Sequence, residues 1–177
     1  DSFIGLVGSE MCIRDRVSDA LRIPAGQREF AINTSNYRFW DDSVRYFIDD
    51  CIAGESGPLG EDFNMRWNAS LVAEAYRILV RGGVFLYPGD SRPSYESGRL
   101  RLLYEALPFA FIIEQSGGMA SDGIERILDM KLVSQHKRVP LIFGSSDRVQ
   151  EVIDYISGDA VENTRFPLFE NRSLFRN

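Results

Sequence analysis

Apolar and polar positions fall into a regular order from Arg28 onward. Phe30 and Ile32 alternate with Glu29 and Ala31, which predicts a short strand ending at Asn33. Trp40, Val44, Phe47, Ile48, Cys51 and Ile52 then recur at helical spacing, with Asp41 or Asp42 as cap and Gly54 as stop. Gly54–Asn64 is rich in glycine and proline and predicts a loop. A second helix is expected from about Asn68 to Arg81 on a stripe of Leu71, Ala75, Ile78 and Leu79, halted by Gly82-Gly83. Val84–Tyr87 predicts a buried strand ending at Pro88, residues 89–98 a loop, and Arg99–Leu103 a further strand. Pro108 suits the first turn of a third helix that ends at Gly117-Gly118. Arg126–Met130 is expected to be a short extended segment and Val139–Phe143 an apolar strand. Asp147 and Gln150 form a capping-box-like pair before a last helix, whose buried face is Val149, Val152, Ile153 and Ile156 and whose stop is Gly158.

Helices thus alternate with strands that read as buried. This predicts an α/β fold, a layered mixed sheet flanked by helices. Residues 1–16 fit the pattern poorly. The stretch SEMCIRDR looks like stray sequence fused to a domain, and an edge strand with its loop is the competing reading. The domain proper is expected over 17–158. The tail, 159–177, is polar but carries Phe166, Leu168, Phe169, Leu174 and Phe175, so it is expected to dock, with another subunit's surface as one candidate.

A chain of 177 residues is the size of one domain with a real core. The absence of any apolar run of 18 residues argues against a membrane-spanning segment. The net charge of −6 argues against general nucleic-acid binding but leaves room for a local arginine cluster on one phosphate. Cys12 and Cys51 form no CxxC pair, which makes a reducing, cytoplasmic setting the expectation. The single histidine, His136, cannot build a multi-histidine metal site and has no visible catalytic partner.

The segment Arg99-Leu-Arg-Leu-Leu-Tyr-Glu105 holds the most suggestive chemistry. On an extended chain Arg99, Arg101 and Glu105 would share one face, with Leu100 and Leu102 on the other. Two guanidiniums suit an anion, and a nearby carboxylate could neutralise one or hold a divalent cation. A solvated strand edge with a surface ion pair explains the same letters. Tyr87 ends a buried strand, where open α/β sheets bind ligands, and equally could cap the core. Arg66-Trp67, ahead of a helix, suits an anion site or a plain Arg–Trp stack. Asn33 and Asn36 suit a ligand contact or a turn.

Taken together, GGVFLYP (82–88), GRLRLLYEALPFAFIIEQSGGMASDG (98–123), ERILD (125–129) and HKRVPLIFGS (136–145) resemble class I fructose-1,6-bisphosphatase. EFAINTSNYRFW (29–40) and FNMRWNASLVAEAYRILVRGG (63–83) extend the likeness to about residues 17–157. The resemblance implies the C-terminal, sugar-phosphate-binding half of the sugar-phosphatase fold. It implies a Mg²⁺-dependent phosphoric monoester hydrolase that removes the 1-phosphate of fructose 1,6-bisphosphate, in gluconeogenesis or the Calvin cycle. By the same resemblance Asn33, Tyr87 and Arg101 contact substrate, and Phe85 and Leu86 line the site. Arg66 and Arg99 anchor the other phosphate, beside Trp67, and Glu105 is the one metal ligand. Arg66 would reach a neighbouring subunit of a homotetramer.

The chain departs from the family pattern at several points. Arg99 stands where many members have Lys, Trp67 where many have Tyr, and Asn33-Thr-Ser-Asn36 where others carry NEGY. The last two changes remove phosphate-binding hydroxyls. No DPxDGS motif occurs, so the chain alone is expected to be inactive. Sedoheptulose-1,7-bisphosphatase and a non-catalytic sugar-phosphate-binding module are the competing readings.

Overall fold

The computed structural model describes residues 20–158, and the expectations placed on 1–16 and 159–177 lie outside them. Five strands form the main sheet: β1 (Glu29–Ala31), β2 (Asn64–Met65), β3 (Val84–Tyr87), β5 (Gly118–Ser121) and β7 (Leu141–Ser145), in the order β2-β1-β3-β7-β5. β1 runs parallel to β2 and β3, whereas β7 is antiparallel to both β3 and β5, so the sheet is mixed as expected. Two further strands, β4 (Leu100–Arg101) and β6 (Arg138–Val139), pair in a small sheet of their own.

Helices cover both faces. Phe30, Ile32, Val84, Leu86 and Ile142 pack against residues of α1 (Asp42–Ala53) and α4 (Ser146–Ser157), among them Phe47, Ile48 and Val152. Ala31, Phe85, Ala120, Leu141 and Phe143 pack against α2 (Leu71–Arg81) and α3 (Leu107–Gln115) through Ala75, Ile78, Ala110 and Ile113. Strands buried on both faces explain why β3 and β7 read as continuous apolar runs rather than alternating ones. Glu29, Phe30 and Ala31 are all buried for the same reason, although the letters alternate.

Several local expectations give way to tertiary context. Ile52 belongs to the helical stripe by spacing but is 68% exposed, because the turn toward Gly54 carries it past the core. The loop 54–64 contains a 3₁₀ turn, Gly54–Ser56, and leads into β2. α2 starts at Leu71 rather than Asn68, because the Ser70 side chain accepts the Ala73 N–H as N-cap. Gly118, read as part of a helix stop, opens β5 immediately after Gly117 turns the chain at φ 83°. Ile127–Asp129 is a 3₁₀ turn, not an extended segment. Pro140 divides the expected strand 139–143 between two sheets. Asp147 and Gln150 form no capping box: Asp147 accepts the Gly26 N–H, and the Gln150 amide donates to Asp154.

The strand expected over 99–103 is the largest difference. Only Leu100–Arg101 is extended, and the chain then winds into a π-helical turn, Leu102–Ala106, that runs into α3. Leu102 is fully buried and its N–H donates to the Lys137 carbonyl at 2.8 Å. The shared face of Arg99, Arg101 and Glu105 therefore does not come from strand alternation.

Candidate functional site

Three parallel strands end at the same edge of the main sheet. Asn33 follows β1, Arg66 and Trp67 follow β2, and Tyr87 closes β3. The C-terminal ends of parallel strands leave side chains and peptide groups free of the ladder, which is why ligands collect there. The Arg66 N–H still donates to the Phe30 carbonyl at 2.7 Å and ties this edge together.

Trp67 lies against Phe85 and Tyr87, with stacked rings at 5.9 and 6.2 Å. Ala31, on the strand between β2 and β3, belongs to the same apolar cluster and is small enough to leave room for that ring. Phe85 is 2% exposed and continues the stack inward to Phe143 at 4.8 Å. Its side chain is therefore a floor beneath Trp67, and Tyr87 and Trp67 offer the accessible surface. Leu86 points to the opposite face, where it packs with Trp40 and Ile32 and with them lines the cleft at Asn33.

A narrow cleft of about 10 Å³ opens between Asn33, Asn36, Tyr87 and Asp90. That is room for roughly one water, so a larger ligand would lie across its mouth. The Asn33 side-chain oxygen accepts from the N–H and hydroxyl of Ser35 and opens the 3₁₀ turn Thr34–Phe39. Its amide nitrogen makes no hydrogen bond within the described residues. A larger cavity, about 250 Å³, lies along β5 at the opposite edge. Its charged lining, Glu114 and Arg126, is one ion pair, and no reactive group faces it.

The small sheet brings the second group of residues to the first. Tyr87 pairs with Leu141 in the main sheet, and Leu100 pairs with Val139 two residues earlier. The short link through Pro140 sets Val139, the partner of Leu100, roughly 7 Å along the chain from Leu141, the partner of Tyr87. Gly98 makes this crossing possible. It sits at φ 82°, and a Cβ there would overlap the Val139 carbonyl group and the Pro140 nitrogen.

Arg101 and Glu105 meet through the π turn. The Glu105 carboxylate accepts the Arg101 N–H at 2.6 Å, and the Arg101 guanidinium stands 3.9 Å from the same oxygen. The second carboxylate oxygen of Glu105 has no hydrogen-bond donor within the described residues. It is a hard oxygen ligand of the kind Mg²⁺ prefers. No group of three His, Cys, Asp or Glu side chains that could hold a metal occurs among the described residues, so among them Glu105 offers a single candidate ligand. Arg66 leans back toward Glu29 at 3.7 Å and is half exposed. Arg99 lies over the Tyr95 ring at 4.5 Å.

Two further groups carry signals the sequence reading did not pick out. Asp90, buried, receives the backbone N–H and Nε–H of Arg92, each at 3.0 Å, and its Nη2–H as well. Those hydrogen bonds hold the Asp90 carboxyl below the usual range, with Arg99 adding to the effect. Glu29 lies under α2, where Arg77 and Arg81 donate to it at 2.7 and 2.5 Å. Its alternation partner in the sequence suggested a solvated position, and the spacing of Arg77 and Arg81 by four was the available sign of a shared acceptor.

Comparison with known proteins followed the same division of the chain. Residues 23–157 match the family model described as fructose-1-6-bisphosphatase, C-terminal domain. A class 1 fructose-1,6-bisphosphatase of Bradyrhizobium sp. (strain BTAi1) is 58% identical over 160 residues, which are 90% of this chain and 47% of that protein. One from Nitrobacter hamburgensis is 60% identical over 157 residues, 88% of this chain and 46% of the relative. The crystal structure of Leishmania major fructose-1,6-bisphosphatase in holo form superposes with a TM-score of 0.71 at 33% identity, covering 76% of this chain and 40% of that one. The chain thus spans about half the length of the curated relatives it matches.

Proposed function

The chain belongs to the class 1 fructose-1,6-bisphosphatase family by its C-terminal domain, and from that premise we propose that it supplies the sugar-phosphate-binding half of a Mg²⁺-dependent fructose-1,6-bisphosphatase. The observation that carries this reading is the convergence of Asn33, Trp67 and Tyr87 at the ends of three parallel strands, with Arg101 and Glu105 brought alongside by the small sheet.

In this reading the sugar lies across the cleft mouth. Tyr87 offers an apolar ring and a hydroxyl, and the free amide of Asn33 donates to a phosphate or ring oxygen. Arg101 faces the sugar with its planar donors, and Arg99 and Arg66 neutralise the phosphate that does not react. In a homotetramer, Arg66 would leave Glu29 and reach a neighbouring subunit's site. The metal, when bound, polarises the reacting phosphate and activates water. Glu105 would hold it through one oxygen, while its other oxygen accepts the Arg101 N–H, which keeps the two residues in register. Trp67 stacks on Tyr87 as a wall beside it, and its indole N–H is the donor it can offer a phosphate in place of a tyrosine hydroxyl.

Isothermal titration of the 177-residue chain with fructose 1,6-bisphosphate tests the reading. Saturable heat is expected, with binding weakened about tenfold by Tyr87→Ala or Arg101→Ala, the loss of one charge-assisted or stacking contact. Absence of binding by the folded parent chain would overturn it.

A further inference from the structure

The main sheet ends at β5, and the outer side of that strand is open among the described residues. Gly118–Ser121 pair with β7 on one side, and on the other there is one isolated bridge, Ser121 to Arg126. Beside this edge lies the cavity of about 250 Å³, walled by Met119 and Ala120 of β5, Ile124 of the following turn and Ile153 of α4. Ile124 is 90% exposed. We propose that this groove is the docking site of the chain's own segment 159–177, which folds back from α4 and seats Phe166 and Leu168 against Met119, Ile124 and Ile153 of the same molecule. The groove shares no lining residue with the Asn33–Tyr87 cleft, so the inference stands apart from the sugar-phosphate reading.

Reach favours this occupant. Ile153 lies only about 8 Å along the α4 axis from Gly158. Ile156 packs so close to the turn after β5 that a Cβ on Gly123 would come within 2.8 Å of its Cδ1. Gly158 closes α4 in the left-handed conformation, at φ 91°, which turns the chain off the helix axis. From there to Phe166 the chain can span up to about 26 Å, well beyond the way back to Ile153. Chemistry agrees. The charged groups that line the groove, Glu114 and Arg126, neutralise each other, so the groove offers apolar side chains and strand backbone rather than a free charge. An apolar space of roughly 150 Å³ takes a benzene ring, so this one admits the Phe166 ring and part of Leu168. On an extended segment Phe166 and Leu168 share one face. Pro167 between them has no N–H to offer a further strand, which suits a segment that covers a sheet edge and ends it. Tethering favours the same molecule, because a segment joined this close to its site acts at an effective concentration in the mM range.

The test is methyl NMR on the full 177-residue chain labelled at isoleucine Cδ1. The docked Phe166 ring should shift the Ile124 and Ile153 methyls upfield. The double variant Phe166→Ser, Leu168→Ser should return both to ordinary positions and leave the Ile48 methyl of the core unmoved. Ile124 and Ile153 methyls that are the same in parent and variant would overturn the proposal. Shifts that survive in that variant and vanish in Phe3→Ser would give the groove to residues 1–19 and overturn it as well. Unlabelled parent added to the labelled variant should restore nothing. Restored shifts would put the segment on a neighbouring molecule and sink docking within one chain. A second variant probes the same contact from the groove. The Ile124 side chain is so exposed among the described residues that Ile124→Asp leaves the core intact. It should speed tryptic cleavage after Arg165 and Arg172 several-fold, whereas cleavage at the parent's rate would count against the docked segment.

Discussion

Glu29 illustrates how a single residue acquires its properties from neighbours far along the chain. Burial alone would raise its pKa, but the hydrogen bonds and charges of Arg81 and Arg77 outweigh burial and hold it below the usual carboxylate range. The folded state then binds its proton less readily than the unfolded chain. Its contribution to stability is complete above the unfolded value, about 4.3, and is lost as pH falls through the lower folded value. Asp90, held down by Arg92, works in the same direction. Glu29→Gln is expected to reduce stability at pH 7 by about 1 kcal/mol, because Arg77 loses one of its two counter-charges and keeps Glu74. It should also flatten the acid decline that begins below about pH 4.3, read as the urea midpoint against pH. Cys51 shows the opposite effect of burial, which pushes its thiol well up and leaves it a packing residue of α1 rather than a nucleophile. Legibility at this scale was uneven. Tyr87 and Asn33 could be read from their place at strand ends. The Asp90–Arg92 pair and the Arg38–Phe39 stack could not, because each residue alone looks like ordinary loop polarity.

At the scale of elements, the segment 98–106 decides whether the site is assembled. Its apolar letters allowed a five-residue strand. The fold instead uses two strand residues and a π turn, because Leu102 must reach the core under α3 while its N–H finds the Lys137 carbonyl. Gly98 is the hinge. Gly98→Ala would place a side chain at positive φ against the Val139–Pro140 backbone, and it is expected to cost about 2–3 kcal/mol. The measurable outcomes are a lowered urea midpoint and, because Arg99 and Arg101 follow directly, weakened binding of fructose 1,6-bisphosphate by the fraction that remains folded. Helices were more legible than this segment. The stripe of α2, that of α1 apart from Ile52, and the stops at Gly54, Gly82 and Gly158 stand as their spacing implied, since local periodicity and glycine's backbone freedom act over a few residues. The edge strands β2 and β5 were not legible, being short and polar or glycine-rich, and their pairing partners, such as Asn64 with Glu29 and Ser121 with Ile142, lie far away in sequence.

For the whole molecule, one carboxylate is too few to clamp both oxygens of a phosphoryl transfer. The 177-residue chain is expected to bind fructose 1,6-bisphosphate and to release no phosphate from it with Mg²⁺ present, checked by a phosphate-release assay. Release by the purified chain would contradict that expectation. No helix among the described residues is long and apolar enough to cross a membrane.

The sequence by itself determined the α/β class, the positions of the main helices and strands, and the likeness to the bisphosphatases. These rest on period, capping and a set of motifs with kept spacing, all properties of neighbours in the chain. Tertiary structure alone decided the strand order β2-β1-β3-β7-β5, the division at Pro140 into two sheets, and the company each charged side chain keeps. The physical reason is that periodicity reports which face of an element leaves water and not what it is buried against. Glu29 on Arg77, and Arg92 between Phe39 and Tyr95, exist only once strands and loops distant in sequence are packed together.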